Sequence, residues 1–294
     1  MKEGINAALI LEGGAMRGIF TAGVLDVLME HNCYLDYVVG VSAGSCNAAD
    51  YVSRQIGRSR DCIAVSDKSI RYVHGDLLHM IRGKAFDLDR LCGDFAYRYY
   101  PFDFETYFAS EIRAEYVVTN ADTGKPEYLN EKKDPKRLMN IIAASCSMPL
   151  INELRPLDGG EYSDGGITDS VPILHAMRKG YRKNVVVLTR PKNYRKERNR
   201  AAEALYRTKY RKYPNLVKAL CTRHIAYNRT LDLIDKWEDE GRIFVIRPEE
   251  PVVGRTEQDT EKLLAFYRSG IDRMEERYGE LERYLSDGGT DVIS

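Results

Sequence analysis

Residues 40–44 read Gly40-Val41-Ser42-Ala43-Gly44, and this stretch indicates how the chain folds. It follows the apolar run Tyr37-Val38-Val39 and leads into small residues that favour a helix over 43–49. A serine between two glycines at a strand-to-helix turn is typical of a nucleophile elbow, because the sharp turn excludes bulky neighbours and lifts the hydroxyl clear of the sheet. The dipole of the following helix favours negative charge near Ser42.

The first 190 residues alternate between strand and helix patterns. Short apolar runs predict strands at 7–11 and 35–41, and helical patterns follow them at 18–31 and 43–52. Such alternation is typical of parallel strands joined by right-handed crossovers. We therefore predict an α/β fold with a mostly parallel central sheet flanked by helices. The other elements predicted here are helices draped over the sheet within 66–100, a hairpin over 115–130, a helix over 135–145 and a strand over 184–189.

The composition changes after Pro191. The whole chain is neutral, with 44 basic and 44 acidic residues, yet residues 192–229 contain twelve Lys or Arg and two Glu, interleaved with tyrosines. From 228 to 284 the pattern is mostly helical. We predict a core over 5–191 and an extension over 192–294 that is basic, then acidic, mainly helical and packed on the core.

The basic stretch 192–229 allows two interpretations. Its cations could dock on anionic lipid head groups, where each Lys or Arg near the surface contributes about 1 kcal/mol. Alternatively, they could pair with the acidic remainder of the chain on a solvated helix. No nucleic-acid partner is expected, because no recognisable binding module accompanies the charge.

Location and cofactors follow from what the sequence lacks. No apolar run approaches the ~18 residues that a membrane span needs, and the run at 7–11 is too short for a signal-peptide core. Six cysteines without C-x-x-C spacing favour reduced thiols over a metal site. We expect a cytoplasmic protein without metal or organic cofactor, whose only membrane contact would be peripheral and through 192–229.

A serine nucleophile needs donors for the oxyanion, and a glycine-rich loop supplies candidates. Gly13-Gly14-Ala15 follows the first strand directly and leaves backbone N–H groups uncovered. If the first two strands are neighbours, this loop lies beside Ser42. The loop also approaches the dinucleotide-binding pattern G-x-G-x-x-G, but Ala15 replaces the second glycine. Asp36 begins the second strand, whereas a ribose-binding acid should end it.

The base must come from elsewhere, and three Asp-Gly-Gly sequences compete for the role. They begin at Asp158, Asp164 and Asp287. Asp158 fits a plain turn between two short strands, and Asp287 fits a frayed turn near the C-terminus. We favour Asp164, because Gly165 and Gly166 would let the backbone pass close to the serine loop. A histidine base is the alternative, with His175 and His224 following Asp164 in the order of a Ser-Asp-His triad.

Three of these elements, in this order, resemble the patatin-like phospholipase family in its bacterial form. They are the glycine-rich loop ending in Arg17-Gly18, the elbow Gly40–Gly44 and the sequence Asp164-Gly165-Gly166. The resemblance covers residues 5–191, about two thirds of the chain. It extends to two secondary matches, Ala143-Ala144-Ser145-Cys146-Ser147-Met148-Pro149 and Asp169-x-x-Pro172. Ala15 departs from the glycine that the family usually has there.

The resemblance implies a three-layer fold and a Ser-Asp dyad that hydrolyses acyl esters of phospholipids or lysophospholipids. Ser42 would attack the acyl carbonyl, Asp164 would accept its proton, and the amides of Gly13, Gly14 and Ala15 would hold the oxyanion. The residues expected to support these motifs are Arg17, Gly18, Gly40, Gly44, Gly165 and Gly166. The alternatives are a non-catalytic lipid- or protein-binding module on the same fold and a Ser-Asp-His esterase.

Overall fold

The structure is a computed structural model that describes residues 5–74, 85–249 and 252–286. In this part of the chain eight strands form one sheet. The strands are β1 (Ile5–Leu11), β2 (Leu35–Val41), β3 (Arg113–Asn120), β4 (Pro126–Leu129), β5 (Arg155–Leu157), β6 (Gly160–Asp164), β7 (Lys183–Val187) and β8 (Phe244–Ile246). Their spatial order is β5-β6-β3-β2-β1-β7-β8, and β4 pairs with β3 beside this path.

The sheet is parallel in its centre and antiparallel on one side. β1 pairs in parallel with both β2 and β7, and β2–β3 and β7–β8 are also parallel. β3 pairs antiparallel with β4 and β6, and β5 pairs antiparallel with β6. Short turns join the consecutive pairs β3–β4 and β5–β6, as antiparallel strands allow. In the β1–β2 register Leu11 lies opposite Gly40. The loop after β1 and the turn after β2 therefore meet at one edge of the sheet.

Helices cover the sheet on both faces. The α-helices described are α1 (Gly18–Glu30), α2 (Ala43–Val52), α3 (Arg58–Ile63), α4 (Phe104–Ala109), α5 (Pro135–Ser145), α6 (Ile173–Arg178), α7 (Arg200–Lys209), α8 (Pro214–Asp239) and α9 (Thr260–Ser286). Alternate residues of β1 face different layers: Leu9 and Leu11 pack with α1 and α2, whereas Ala8 and Ile10 pack with α6 and α8. The result is the three-layer arrangement that the resemblance implies.

The region between α3 and α4 is less helical than its sequence predicts. Within 66–100 the described residues form one helical segment, a π-helix over Arg90–Tyr99, and one isolated bridge between Val73 and Phe86. Residues 75–84 of the predicted helical region lie outside the described part. Phe95 is fully buried and anchors the π-helix on the core.

The C-terminal helix α9 packs directly on α1 of the core. A Cβ added at Gly23 would lie 2.3 Å from the Tyr267 carbonyl oxygen, and one at Gly270 would lie 2.2 Å from that of Phe20. Each glycine therefore lets the opposite backbone touch the helix. Next to this crossing the Tyr267 hydroxyl donates to Asp26 Oδ2 at 2.6 Å. This contact contributes to the burial of α1 along almost its whole length.

Candidate active site

The backbone at Ser42 has the geometry of a nucleophile elbow. β2 ends at Val41, α2 begins at Ala43, and Ser42 between them has φ 54° and ψ −125°. L-residues adopt such a positive φ only under strain. A Cβ at Gly40 would lie 2.3 Å from the Gly44 carbonyl oxygen, so no side chain fits there. One at Gly44 would approach the Leu11 oxygen to 2.5 Å. The flanking glycines are thus required by backbone contacts.

Ser145 holds this strained turn from behind. Its buried hydroxyl accepts a hydrogen bond from the Ser42 amide at 2.9 Å and donates to the Val117 carbonyl at 2.6 Å. A third contact at 2.8 Å joins it to the Ser45 hydroxyl. The sequence suggested the segment 143–149 only as a secondary family match. The structure shows how its serine ties α5, β3 and the elbow together.

The glycine-rich loop lies against the elbow, as the neighbouring strands predict. A Cβ at Gly13 would lie 2.7 Å from the Val41 carbonyl oxygen and 2.8 Å from Ser42 Cβ, and one at Gly18 would lie 2.8 Å from Ala43 Cβ. Within the described part of the chain, the amides of Gly13, Gly14 and Ala15 donate no hydrogen bond. These N–H groups are therefore available to a ligand beside Ser42.

Two further features fix the loop. Ala15 has φ 51°, a conformation that favours glycine, so the departure from the family pattern falls on a strained position. Glu12, just before the loop, is buried, and its carboxylate accepts hydrogen bonds from the amide and hydroxyl of Thr189 at 2.6 and 3.0 Å. The Tyr227 hydroxyl donates to its other oxygen at 2.6 Å. Glu12 thereby ties the ends of β1 and β7 to α8.

Asp164 ends β6 and lines the same cavity as Ser42. Its amide donates to the Ser147 carbonyl at 2.9 Å, and its Oδ1 accepts from the Gly166 amide at 2.7 Å. A Cβ at Gly165 would lie 2.1 Å from the Val117 oxygen, so this glycine lets the base strand close on β3. The Asp-Gly-Gly sequence thus orients the carboxylate through its own backbone.

Burial raises the pKa of the Asp164 carboxyl above its ordinary value. The positive charge of Arg223, the Ser42 hydroxyl and the Gly166 amide oppose this shift but do not cancel it. The opposing effect of the Ser42 hydroxyl shows that it lies close to the Asp164 carboxylate, as a nucleophile–base pair requires.

The other candidate bases lie elsewhere. Asp158 occupies the turn between β5 and β6, half exposed, and Arg137 Nη2 contacts its Oδ2 at 2.6 Å. His175 Nε2 lies 2.6 Å from Glu115 Oε2, and its ring stacks on Tyr128. Neither His175 nor His224 lines the described cavities at Ser42. Asp287 lies outside the described residues.

The dinucleotide alternative finds no support at the end of β2. Asp36 is the second residue of that strand, at the end opposite Ser42. The position where a ribose-binding carboxylate would lie is occupied by the elbow itself. The residue that follows the carboxyl end of β2 is therefore Ser42, and no acidic residue of this strand lies there.

An apolar cavity opens on one side of Ser42, with about 770 Å³ of empty space including its mouth. Its wall is mostly aliphatic and aromatic. The lining side chains on this wall include Ala49, Ile63, Tyr72, Phe86, Leu88, Leu91, Phe102, Met139, Ile142 and Met148. A wall of this polarity is suited to contact an acyl chain.

A polar cavity opens on the other side of Ser42, with about 480 Å³ of empty space including its mouth. Besides Asp164 and the glycine-rich loop, its lining contains Glu12 and five basic side chains. These are Arg17, Arg190, Lys196, Arg223 and Arg255. Ala15, Ser42 and Met148 belong to both cavities and form the boundary between them.

Four of these cations were not singled out by the sequence. Arg190 directly follows the predicted strand 184–189. Because ligands of open α/β sheets bind at the carboxyl ends of strands, its position could have indicated a site residue. Lys196 and Arg223 belong to the basic stretch 192–229, where nothing local separates them from their neighbours. Arg255 lies in the loop before α9 and had no signal at all.

On the outer surface, part of the basic stretch pairs with acidic residues. Lys192 contacts Asp239 at 2.7 Å. Arg195 bridges to Asp232 and Asp235, both at 2.8 Å, and Arg198 to Glu203 at 2.7 Å. Lys192 and Arg195 thus pair with the acidic remainder of the chain, whereas Arg198 pairs within the basic stretch itself.

Comparison with known proteins identifies the family. The sequence model described as patatin-like phospholipase matches residues 9–177, more than half of the chain, and the chain therefore belongs to this family of lipid hydrolases. A second model, described as a domain of unknown function (DUF6363), matches 213–286. The family expectation and the fold class are thus confirmed.

Two individual proteins illustrate the similarity. The chain is 31% identical over 260 residues to the uncharacterized protein YjjU of Escherichia coli K12, covering 83% of this chain and 69% of that protein. The crystal structure of VipD from Legionella pneumophila superposes with a TM-score of 0.49 at 16% identity, covering 93% of this chain and 67% of that one.

Within the described residues, no helix combines the length and apolar character required to cross a membrane.

Proposed function

We propose that this protein is a serine acyl-ester hydrolase that cleaves phospholipids or lysophospholipids with a Ser42–Asp164 dyad. One observation carries the proposal: Ser42 lies where an apolar cavity meets a polar one, and Asp164 lines the polar side. An ester with a long acyl chain and a polar alcohol matches this division, with its carbonyl at the boundary.

The chemistry divides into two halves. Ser42 Oγ attacks the acyl carbonyl while Asp164 takes the hydroxyl proton, and the amides of Gly13, Gly14 and Ala15 donate to the oxyanion. The carbon–oxygen bond to the alcohol then breaks, and the alcohol leaves with the proton held by Asp164. Water attacks the acyl-enzyme in the second half, Asp164 again takes the proton, and the fatty acid departs as Ser42 regains it.

The environment of Asp164 supports its role as base. A carboxylate is a weaker base than imidazole, and burial raises its pKa toward the working pH. Arg223 opposes this shift and favours the ionised form of the carboxyl. Each oxyanion donor is worth about 10²–10³ in rate, so the unpartnered amides supply a large part of the acceleration.

Peripheral membrane contact through 192–229 is part of the proposal. Its support is a surface of exposed cations on and around α7 and α8, accompanied by Leu205 and Ile225, which are 57% and 43% exposed. The cations are Arg200, Arg207, Lys209, Arg211, Lys212, Lys218 and Arg229. We expect co-sedimentation with vesicles containing anionic lipid and not with purely zwitterionic ones. Equal sedimentation with both would contradict charge-driven docking.

The test of the nucleophile is labelling with a fluorophosphonate, followed by peptide mass mapping. We expect stoichiometric modification at Ser42 and none in Ser42→Ala, which should also lose phospholipid hydrolysis. Ser170→Ala removes another hydroxyl of the polar cavity and is the matched control, expected to label normally. If folded wild-type protein fails to label even with detergent or anionic vesicles, the non-catalytic binding module becomes the better explanation.

A further inference from the structure

The charges of the polar cavity do not balance. Four arginines and Lys196 face it, against the carboxylates of Glu12 and Asp164. Glu12 is already satisfied by hydroxyl and amide donors from Thr189 and Tyr227. Asp164 is left to offset the cations, and burial disfavours its charged form. The cavity therefore holds an excess of positive charge next to the proposed nucleophile.

These cations lack the partners that surface cations have. In the described part of the chain, no carboxylate oxygen lies within 4 Å of the charged groups of Arg17, Arg190, Lys196 or Arg255, whereas Lys192 on the outer surface is ion-paired. Arg17 is only 4% exposed. The Nε atoms of Arg17 and Arg190 are buried without a hydrogen-bond partner in the structure described. Buried charges without partners are costly, so this arrangement is suited to an anionic ligand.

Arg223 links this cluster to the base. Its Nε donates to the Gly166 carbonyl. A Cβ added at Gly166 would lie 3.0 Å from both Arg223 Nη2 and Asp164 Oδ1, so both groups lie on the same side of that glycine. Anion binding and the reacting carboxylate therefore share one cavity, and a ligand held by the cations would lie beside Ser42.

The pKa of Lys196 reflects the same excess of positive charge in the cavity. Burial, together with the positive charges of Arg223 and Arg255, lowers the pKa of its ammonium group to about 6. The ammonium group lies over the ring of Tyr227 at 4.4 Å. The other charged or titratable groups facing the cavity are Glu12, Arg17, Asp164, Arg190 and Tyr194. An anion placed among these groups would favour protonation of Lys196.

We propose that the polar cavity is a head-group subsite for lipids that end in a phosphate monoester, with the phosphate held by Arg17, Arg190, Lys196, Arg223 and Arg255. This inference rests on the proposed function, because it places the scissile ester at Ser42. A phosphate monoester carries up to two negative charges and offers oxygens that arginine binds in a bidentate manner. A zwitterionic head group would bring a cation into a cavity that already has a surplus.

Binding of decyl phosphate to the full-length protein tests the subsite without requiring catalysis. Calorimetry would compare it with decyl glucoside, which has the same chain and a neutral head, and with inorganic phosphate, which has the charge and no chain. We expect decyl phosphate to bind at least tenfold more tightly than either. Equal affinity for decyl glucoside would overturn the subsite. Equal affinity for inorganic phosphate would show a free-anion site and overturn the lipid assignment.

Two variants sharpen the test. Lys196→Met and Arg190→Met are expected to weaken decyl phosphate binding about tenfold and to leave decyl glucoside binding within twofold. Lys236→Met, an exposed cation on the same helix as Arg223, is the matched control and should change neither. Loss of both ligands in a variant that melts like wild type would point to a general packing role and contradict the assignment.

Proton uptake gives a readout that a structural role would not move. At pH 8 a phosphate monoester is already dianionic, because its second pKa is about 6. Titrations in buffers of different ionisation enthalpy should show uptake of part of a proton with wild type and less with Lys196→Met. No uptake by wild type would contradict a direct role for this lysine. Fluorophosphonate labelling separates the two proposals. If Ser42 is labelled but the protein does not prefer decyl phosphate to decyl glucoside, only the subsite proposal is wrong. If the protein prefers decyl phosphate but Ser42 is not labelled, the hydrolase proposal is wrong.

Discussion

Asp158 and Asp164 begin identical Asp-Gly-Gly sequences six residues apart on either side of one short strand, yet the structure places them in opposite environments. Asp158 lies in an exposed turn, where the hydrogen bond from Arg137 lowers the pKa of its carboxyl. Asp164 lies 4% exposed beside Ser42, and burial raises the pKa of its carboxyl. The tripeptide itself therefore does not define the chemistry.

The difference arises from what each glycine pair contacts. A Cβ at Gly165 would collide with β3, whereas one at Gly159 would meet nothing within 4 Å. At Asp164 the glycines permit close packing, and the packing desolvates the carboxylate. At Asp158 the first glycine serves a turn with positive φ, 49° at Asp158 and 82° at Gly159. The same residues thus serve compaction in one place and chain reversal in the other.

The largest expected contrast is in catalysis. Asp164→Asn should lower kcat for a 4-nitrophenyl ester by about 10³, since a positioned base contributes about 10²–10⁴. Asp158→Asn should stay within about threefold of wild type, because the exposed ion pair it breaks is worth at most about 1 kcal/mol. Steady-state kinetics on both variants, with circular dichroism to confirm folding, decide the matter. The reverse pattern would show that Asp158 is the base.

Stability should separate the two glycine pairs. Gly165→Ala is expected to lower the free energy of unfolding by about 3 kcal/mol, because its methyl group must displace the backbone of β3. Gly159→Ala should cost about 1 kcal/mol, from the positive φ alone. Urea denaturation measures both values. Similar losses would mean that the close approach at Gly165 relaxes without strain.

The smallest expected contrast is in the pH profile. Arg223 lowers the pKa of Asp164, so Arg223→Gln should raise that pKa further. The dyad needs Asp164 ionised, and the acid limb of kcat/KM for a neutral ester should therefore move to higher pH. Arg137→Gln acts on Asp158 instead and should leave the limb in place. If the acid limb of kcat/KM does not move in Arg223→Gln, then Arg223 does not influence the pKa of Asp164.

Much of the fold could be predicted because it rests on short-range patterns. The strands at 7–11 and 35–41, and the glycines around Ser42, are dictated by neighbours within a few residues. The antiparallel side of the sheet was less evident, since β5 and β6 contain only three and five residues. The π-helix over Arg90–Tyr99 has no periodicity that the sequence pattern could separate from an α-helix.

The candidate site divides in the same way. Ser42 and Asp164 lie in motifs, so their sequence context predicts them, and their catalytic role stays a prediction until variants are measured. The cationic wall depends on tertiary contacts instead: Glu12 meets Tyr227, and Asp164 faces Arg223. Which cations of a basic stretch turn inward depends on how α8 packs on the sheet, and local composition does not encode that choice.

The positive φ of Ser42 implies a trade-off between stability and activity. A strained residue of this kind costs about 1–3 kcal/mol, which the rest of the chain must offset. Glycine at this position would release the strain, so Ser42→Gly should be more stable to urea than wild type by about 1 kcal/mol while losing the nucleophile. Ser42→Ala keeps the strain and should show no such gain. Selection for stability alone would therefore remove this serine, and its retention would have to be explained by what its hydroxyl does.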